Sequence, residues 1–328
     1  MRYRTETTLR LVMLIAGAVA PQAAANIIDV PADQPTIQAG IDAATGGDEV
    51  VVAPGTYAEI IDLDGKAITL RSSGGAAVTI IDATTVADPG TGKPVVRIDT
   101  GEGADTVLEG FTITGGTGDT AAFGVTLGGG IWVSGATPTI RDCVTEFNAA
   151  DSGGGVCVNQ GTPTFDGCTI RDNTATPGEG GGLYLFNNSG VTMTGCSVTG
   201  NDASGAAGGM SIDGATGTVV ITDSVFEGNT AGSTGGAIRA NLSGSFTVER
   251  CESGATRPGT FPVGQFSSPV VRRPRASRTA PSSRTHCSMA VAARSRRRRA
   301  QQPSQTAPSR ATPRALAARS SSRAATRS

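Results

Sequence analysis

Cys168 to Phe186 reads CTIRDNTATPGEGGGLYLF, and its parts recur along the chain at nearly constant spacing. The Cys belongs to the series Cys143, Cys168, Cys196, Ser224 and Cys251, at intervals of 25, 28, 28 and 27 residues. The Asn five places on belongs to Asn148, Asn173, Asn201 and Asn229. The glycines and apolar run form a third series, GGGIWV, GGGVCV, GGGLYL, GGMSI and GGAI, whose first apolar residues are Ile131, Val156, Leu183, Met210 and Ala237. Self-similarity at such a period marks stacked structural units.

Each unit holds two short runs rich in β-branched residues, separated by Gly, Asn, Asp, Ser and Thr, and none sustains a helical period. Short strands also build sandwiches and propellers, but those folds do not need one residue type at one place in every unit. A coil that stacks on itself does, because equivalent side chains then lie about 4.8 Å apart in ladders. The fold class expected is all-β, a parallel β-solenoid. In it Cys fills a narrow interior, Asn takes the left-handed backbone of a sharp corner, and Gly permits corners that side chains would block. An aromatic content of 4% fits a thin core.

Phe226-Glu-Gly-Asn229 followed by Gly235-Gly-Ala-Ile238 resembles the FxxN and GGA[ILV] repeats of the polymorphic outer-membrane protein family. Ile170 to Asn173 and Val198 to Asn201 are looser copies. Upstream, TIQAGIDAATGGDEVVVAPGTYAEIIDLDGKAITLRS, Thr36 to Ser72, resembles the first coils of right-handed parallel β-helix proteins of the pectin-lyase-like superfamily. The resemblance implies a right-handed parallel β-helix over residues 26–251. It also implies either surface display or action on polysaccharide.

The residues of that opening stretch agree. Ile37, Ile41 and Ala44 share one face of a short helix, expected to cover the unpaired backbone of the first coil. Strands are expected over 48–53, 59–63, 67–71, 78–82, 95–99, 106–108 and 111–114, with Pro54-Gly55 as a turn.

Arg2, Arg4 and Arg10 precede the apolar run Leu11 to Ala20 and the small residues Ala23 and Ala25, the order of a signal peptide over residues 1–25. The apolar run is about half the roughly 20 residues that span a bilayer. The expected location is secreted, extracellular or on the outer cell surface, with no transmembrane segment after signal removal.

Net charge, −1 overall, divides unevenly. From Glu252 onward there are 16 of the 27 Lys and Arg, with Glu252 the only acid, which leaves 11 bases against 27 acids in the rest. So acidic a repeat region excludes nucleic acid as its partner. An extracellular polysaccharide or cell-surface ligand is the expected one. Residues 252–328, rich in Arg, Ser, Ala and Pro, are expected to form a disordered tail.

His286, the only His, lies in that tail, which excludes Ser-His-Asp triads and His-based zinc sites from the repeats. Carbohydrate-active β-helices use clustered acids with Arg or Lys, and Asp142, Asp172 and Arg171 are the weak catalytic candidates here. Their offsets from the Cys position do not bring the acids into one row. Asp142 and Asp223 share a row but lie three coils apart. The four Cys of one series are expected as free thiols in an interior ladder, with Cys157 on the neighbouring strand. GGTGDT, Gly115 to Thr120, resembles a calcium nonapeptide whose Asp119 is one place early, and is expected as a flexible corner loop. Trp132 is expected in the core.

The function expected is a binding, adhesion or display scaffold, not an enzyme and without cofactor or metal. The alternative is a polysaccharide lyase or glycoside hydrolase, for which calcium would be the cofactor. A third reading, the passenger domain of an autotransporter, depends on sequence past Glu252.

After Cys251 the pattern fails, with Glu-Ser-Gly-Ala-Thr-Arg-Pro from Glu252 to Pro258 in place of a fifth copy. Codons for this stretch can be chosen so that one inserted base gives Glu-Phe-Arg-Gly-Asn-Thr-Ala, the missing FxxN phrase. In the same frame SMAVAA, Ser288 to Ala293, can read His-Gly-Gly-Gly-Gly. The tail is therefore expected to be a frameshift product of a GC-rich gene. Sequencing the gene past codon 252 should reveal repeat phrases in a shifted frame; bases that encode none in either alternative frame would refute this.

Overall fold

The computed structural model describes residues 24–87, 92–120 and 124–253, with backbone alone at 257–258 and 291–293. The signal peptide expected over 1–25 and the tail over 252–328 lie outside these residues, apart from 24–25 and the short strands named below. His286 and Cys287 lie outside them too.

Parallel strands stack into four sheets of nine, eight, eight and five strands. One coil consists of Thr164–Asp166 in sheet 1, Thr169–Arg171 in sheet 2, Thr174–Ala175 in the short sheet 4 and Leu183–Phe186 in sheet 3. The next is Val191–Thr194, Ser197–Thr199, Asp202–Ala203 and Met210–Ala215. Successive coils pair strand on like strand, so the chain is a parallel β-helix.

Alternate residues of each strand point inward and stack in register. In sheet 1 Ile140 lies beside Phe165, then Met193, then Ile221. In sheet 2 Ile170, Val198 and Phe226 form the matching row, and in sheet 3 Val158, Leu185 and Ile212. All ten and a further row of Cys143, Cys168 and Cys196 belong to one buried cluster that runs the length of the helix.

The Asn series is buried, but not as expected. The left-handed corner is the residue before each Asn: Phe147, Asp172, Gly200 and Gly228, with φ of 53°, 55°, 65° and 65°. That corner turns the Asn side chain inward. Nδ2 of Asn148, Asn173 and Asn201 each donates to Oδ1 of the Asn one coil on, at 3.1, 3.0 and 3.0 Å. The backbone N–H of each donates to the same oxygen. Nδ2 also reaches a carbonyl of the preceding coil, Ile113, Thr145, Ile170 and Val198 in turn. Gly116 N–H supplies the first rung by donating to Asn148 Oδ1 at 2.9 Å.

Glycine before sheet 3 answers to the next coil. A Cβ on Gly154 would lie 2.2 Å from Thr174 O, so only Gly lets the coils stack this closely. The last copy departs from the assumed alignment. Ile238, not Ala237, pairs with Met210, and Ala237 stands where earlier coils have the third glycine.

At the N-terminal end Ile37–Ala43 is the helix, with Ile37, Gly40 and Ile41 buried against the first coil. Thr36 Oγ1 accepts from Ala39 N–H, and the Glu59 carboxylate accepts from Ile37 and Gln38 N–H at 3.0 Å. Lys66 Nζ donates to the Ile41 and Asp42 carbonyls. Seven residues are too few for an autonomous helix, so these caps and the apolar face hold it. A strand absent from the sequence reading, Ile27–Val30, opens sheet 1 before the helix. Gly55, expected in a turn, starts the strand Gly55–Tyr57 in sheet 2. Asp48 fastens this end by accepting from Asn26 and Thr45, whose amides hold its carboxyl down at about 2.

At the other end strand pairing continues past Cys251, where the sequence pattern ends. Glu252–Ser253 pairs with Val225 and Phe226, Arg257–Pro258 with Thr230 and Ala231, and Val291–Ala293 with Ile238 to Ala240. Sheet 1 alone gains no strand there among the described residues.

Asn201→Ala would take away the partner of the Asn173 N–H and of one of its two Nδ2 hydrogens, and the Nδ2 donor to the Ile170 carbonyl. Each unsatisfied buried group costs about 1–3 kcal/mol. The variant is expected to lose roughly 3 kcal/mol or more in chemical denaturation, whereas the same change at exposed Asn188 should stay within about 0.5 kcal/mol.

Candidate functional site

The sequence candidates do not converge. Asp142 and Asp172 are exposed, at two different left-handed corners with φ of 49° and 55°. Each carboxylate lies over a glycine of the next coil: a Cβ on Gly167 would be 2.4 Å from Asp142 Oδ1, and one on Gly200 2.6 Å from Asp172 Oδ1. Asp tolerates left-handed backbone, so both residues serve the turns. Arg171 points out from sheet 2 and donates through Nε to Glu146 at 2.6 Å. Asp223, in the same corner row as Asp142, is held by both Nε and Nη2 of Arg250.

The side chains that do gather lie on the outer side of sheet 3. Its register places Asp62, Arg97, Trp132, Cys157, Tyr184, Ser211 and Arg239 in one row. A second row, two residues further along each strand, holds Ser134, Asn159, Phe186, Asp213 and Asn241.

At the first end Arg97 is enclosed by carboxylates. Its Nε is 3.9 Å from Asp62 and its Nη1 3.1 Å from Asp99, and it forms an ion pair with Asp119. Asp119 is 1% exposed. It is delivered by Gly118–Asp119, antiparallel to Gly92–Lys93 and bonded through its backbone to Leu127. The stretch expected as a flexible corner loop is thus fixed by backbone pairing. Beside the cluster is a cleft of about 230 Å³ whose lining includes Gln38, Ile60, Ile61, Asp62, Gly92, Pro94 and Arg97. Burial raises the Asp62 carboxyl above the usual range; Asp99 adds to this, while the Asp64 amide and Arg97 oppose it.

Along the middle, Leu127, Trp132 and Cys157 form a small apolar cluster separate from the main core. Trp132 is 3% exposed, so it is packed, though outside the interior where it was expected. Tyr184 and Phe186, half-buried, continue the cluster as stacked rings with centroids 5.3 Å apart and planes within 8°. Burial, followed by the Asp213 and Glu179 carboxylates, pushes the Tyr184 hydroxyl well above its usual value. It is a neutral group, not a base.

At the far end Glu179 accepts from Ser211 Oγ at 2.8 Å and from the Arg239 guanidinium. Arg239 Nη1 is 3.4 Å from Ser211 Oγ, and its Nη2 is 4.0 Å from Asp213 Oδ1, which also accepts from Asn241 Nδ2. These polar groups form a fixed network beside the aromatic pair.

Sequence reasoning missed this face, although two signals were present. Asp62, Arg97 and Trp132 are 35 residues apart, a longer period than the 25 to 28 followed downstream. The second residue of each apolar run after the glycines also gives the row directly, as Trp132, Cys157, Tyr184 and Ser211.

Among the described residues no group of three or more His, Cys, Asp or Glu could hold a metal ion. The carboxylates around Arg97 already close on a cation. Among the same residues no helix is long and apolar enough to cross a membrane.

Residues 96–256 match the family model of the right-handed β-helix region. The match covers the regular coils, and right-handed is the hand that parallel crossover connections take. The chain is a right-handed parallel β-helix repeat protein. No curated protein and no solved structure matches it.

All five described thiols are free, and Cys143, Cys157, Cys168 and Cys196 are buried. Burial pushes the Cys143 thiol up to about 12, and the hydrogen bond with Cys196, followed by burial, raises Cys168 well above its usual value. Alkylation of the folded protein at pH 8, mapped by peptide mass spectrometry, should label Cys251 and spare these four; unfolding should expose all five.

Proposed function

We propose that this β-helix is an exported binding and display scaffold whose ligand face is the outer side of sheet 3. Its ligand class is extracellular polysaccharide. The observation that carries the reading is the stacked pair Tyr184 and Phe186 beside the network of Glu179, Ser211, Arg239 and Asp213. A pyranose ring has an apolar C–H face and an equatorial rim of hydroxyls. A half-exposed aromatic face with fixed polar groups at its edge matches both.

The shape supports the same ligand. Rows on a β-helix advance roughly 4.8 Å per coil, so the five rungs from Trp132 to Arg239 span roughly 19 Å in a straight line. An extended chain of sugars suits such a strip better than a compact metabolite does. The acid excess outside the Arg-rich end supports a glycan or cell-surface ligand over nucleic acid. Export rests on the basic, apolar and small-residue order of residues 1–25.

The lyase or hydrolase reading has one observation in its favour. Asp62, with its raised carboxyl, borders a cleft beside Arg97, the mixture of acid and cation that such chemistry uses. Against it, Arg97 is already held by three carboxylates, and Asp142, Asp172 and Arg171 stand apart. Surface-display repeats of the polymorphic outer-membrane type fit the scaffold reading.

Affinity electrophoresis of the full chain through gels cast with a panel of polysaccharides tests the proposal. Retardation on at least one polymer is expected. Tyr184→Ala with Phe186→Ala should abolish it while circular dichroism keeps its β signal. Retardation unchanged in the double variant would sink the ligand-face reading, and turnover of a uronate polymer lost in Asp62→Asn would replace it with the enzymatic one.

A further inference from the structure

We infer that the glycan taken by this face is neutral: a hexopyranose chain without carboxylate or sulfate groups. The inference rests on the ligand-face reading above and deepens it through the charge that the face carries. Glu179 and Asp213 flank the aromatic pair, and Asp62, Asp99 and Asp119 occupy the other end of the same strip. Against these five carboxylates stand two guanidinium groups, and neither is available to a ligand anion. Arg97 is enclosed by three acids, and Arg239 is held between Glu179 and Asp213. Lys93, four residues before Arg97, is buried and donates to the Ala83 and Val86 carbonyls.

A uronate or sulfated sugar placed on Tyr184 and Phe186 would therefore meet carboxylates with no free cation among the described residues of this face to offset them, and partial burial would sharpen the repulsion. A neutral pyranose meets no such penalty. Its adjacent hydroxyls can donate to Asp213 and accept from the amides of Asn159, Asn187 and Asn241. Asn241 is held by Asp213, and Asn187 by Asn159 Oδ1 at 2.8 Å. Asp213, one of the acids that reject anions, also orients the Asn241 amide as a donor for hydroxyls.

The test uses the full chain in affinity gels containing a neutral β-glucan, a mannan, polygalacturonate or chitosan, each at low salt and at 0.15 M salt. Retardation is expected on a neutral polymer, indifferent to salt, with none on polygalacturonate. Glu179→Gln combined with Asp213→Asn releases Arg239 and should weaken neutral binding at least tenfold while creating salt-sensitive retardation on polygalacturonate. Wild-type retardation on polygalacturonate equal to that on neutral polymers would overturn this inference and leave the ligand face standing. Retardation on chitosan alone, lost at 0.15 M salt, would overturn it in favour of simple charge attraction. No retardation on any polymer would overturn the ligand-face reading and this inference with it.

Discussion

The buried Asn ladder is the interaction on which the coils depend. Where the chain turns out of sheet 2, the Asn carbonyl still accepts from the following coil, but the Asn N–H turns inward and meets no backbone carbonyl there. Burying that N–H unpaired would cost more than most single packing contacts return. The side-chain amide supplies the donors and acceptor the turn lacks, and each Oδ1 accepts from the preceding Asn twice, through backbone and side chain. A slip of one residue would bring Phe147, Asp172 or Gly200 to the buried position, and none of these could repeat the pattern. The ladder therefore sets register, and register sets every other row.

Once the rows are fixed, inside and outside become independent. The interior needs only apolar volume, which is why Phe165, Met193 and Ile221 can follow one another in a single row, and Ser224 can stand in the Cys series. It does so by donating to Thr222 O and accepting from Cys196 N–H. The outward rows carry no such demand and can change from coil to coil. Along one row of sheet 3 the side chain passes from Asp62 and Arg97 through Trp132, Cys157 and Tyr184 to Ser211 and Arg239 without disturbing the pairing beneath. A strip of graded chemistry on a rigid, regular support is the arrangement suited to an extended ligand.

The strongest sequence signals were those that repeat. The helix over Ile37–Ala43 was legible from Ile37, Ile41 and Ala44, and the interior thiols were legible from their common place in the units. Asn was located correctly but given the wrong task. Left-handed propensity is a property of the residue alone, whereas the ladder needs a partner 25 or 28 residues away. Ala237 and Ile238 were misaligned by one because Ala counts as apolar in a pattern and as a third glycine in a corner. Asp142, Asp172 and Arg171 drew attention as charged residues near strand ends; their geometry ties them to turns and to Glu146. The Arg97 cluster went unseen because its members come from two strands of sheet 3, Ile61–Asp62 and Val96–Ile98 with the Asp99 that follows it, and from the returning Gly118–Asp119, separated by a period that the downstream repeat does not share.

By itself the sequence determined the architecture, since a residue type recurring at one interval is already a statement about which side chains stack. It also determined the acidic character of the coils and the poverty of aromatic residues in the core. Only the tertiary structure decided which outward residues become neighbours. Sheet 3 brings Glu179 from a corner, Ser211 from one coil and Arg239 from the next to within hydrogen-bonding distance, and sets two rings in parallel beside them. Those distances follow from coil length and corner conformation summed over several turns. No local pattern holds that sum, and the chemistry of the face depends on it.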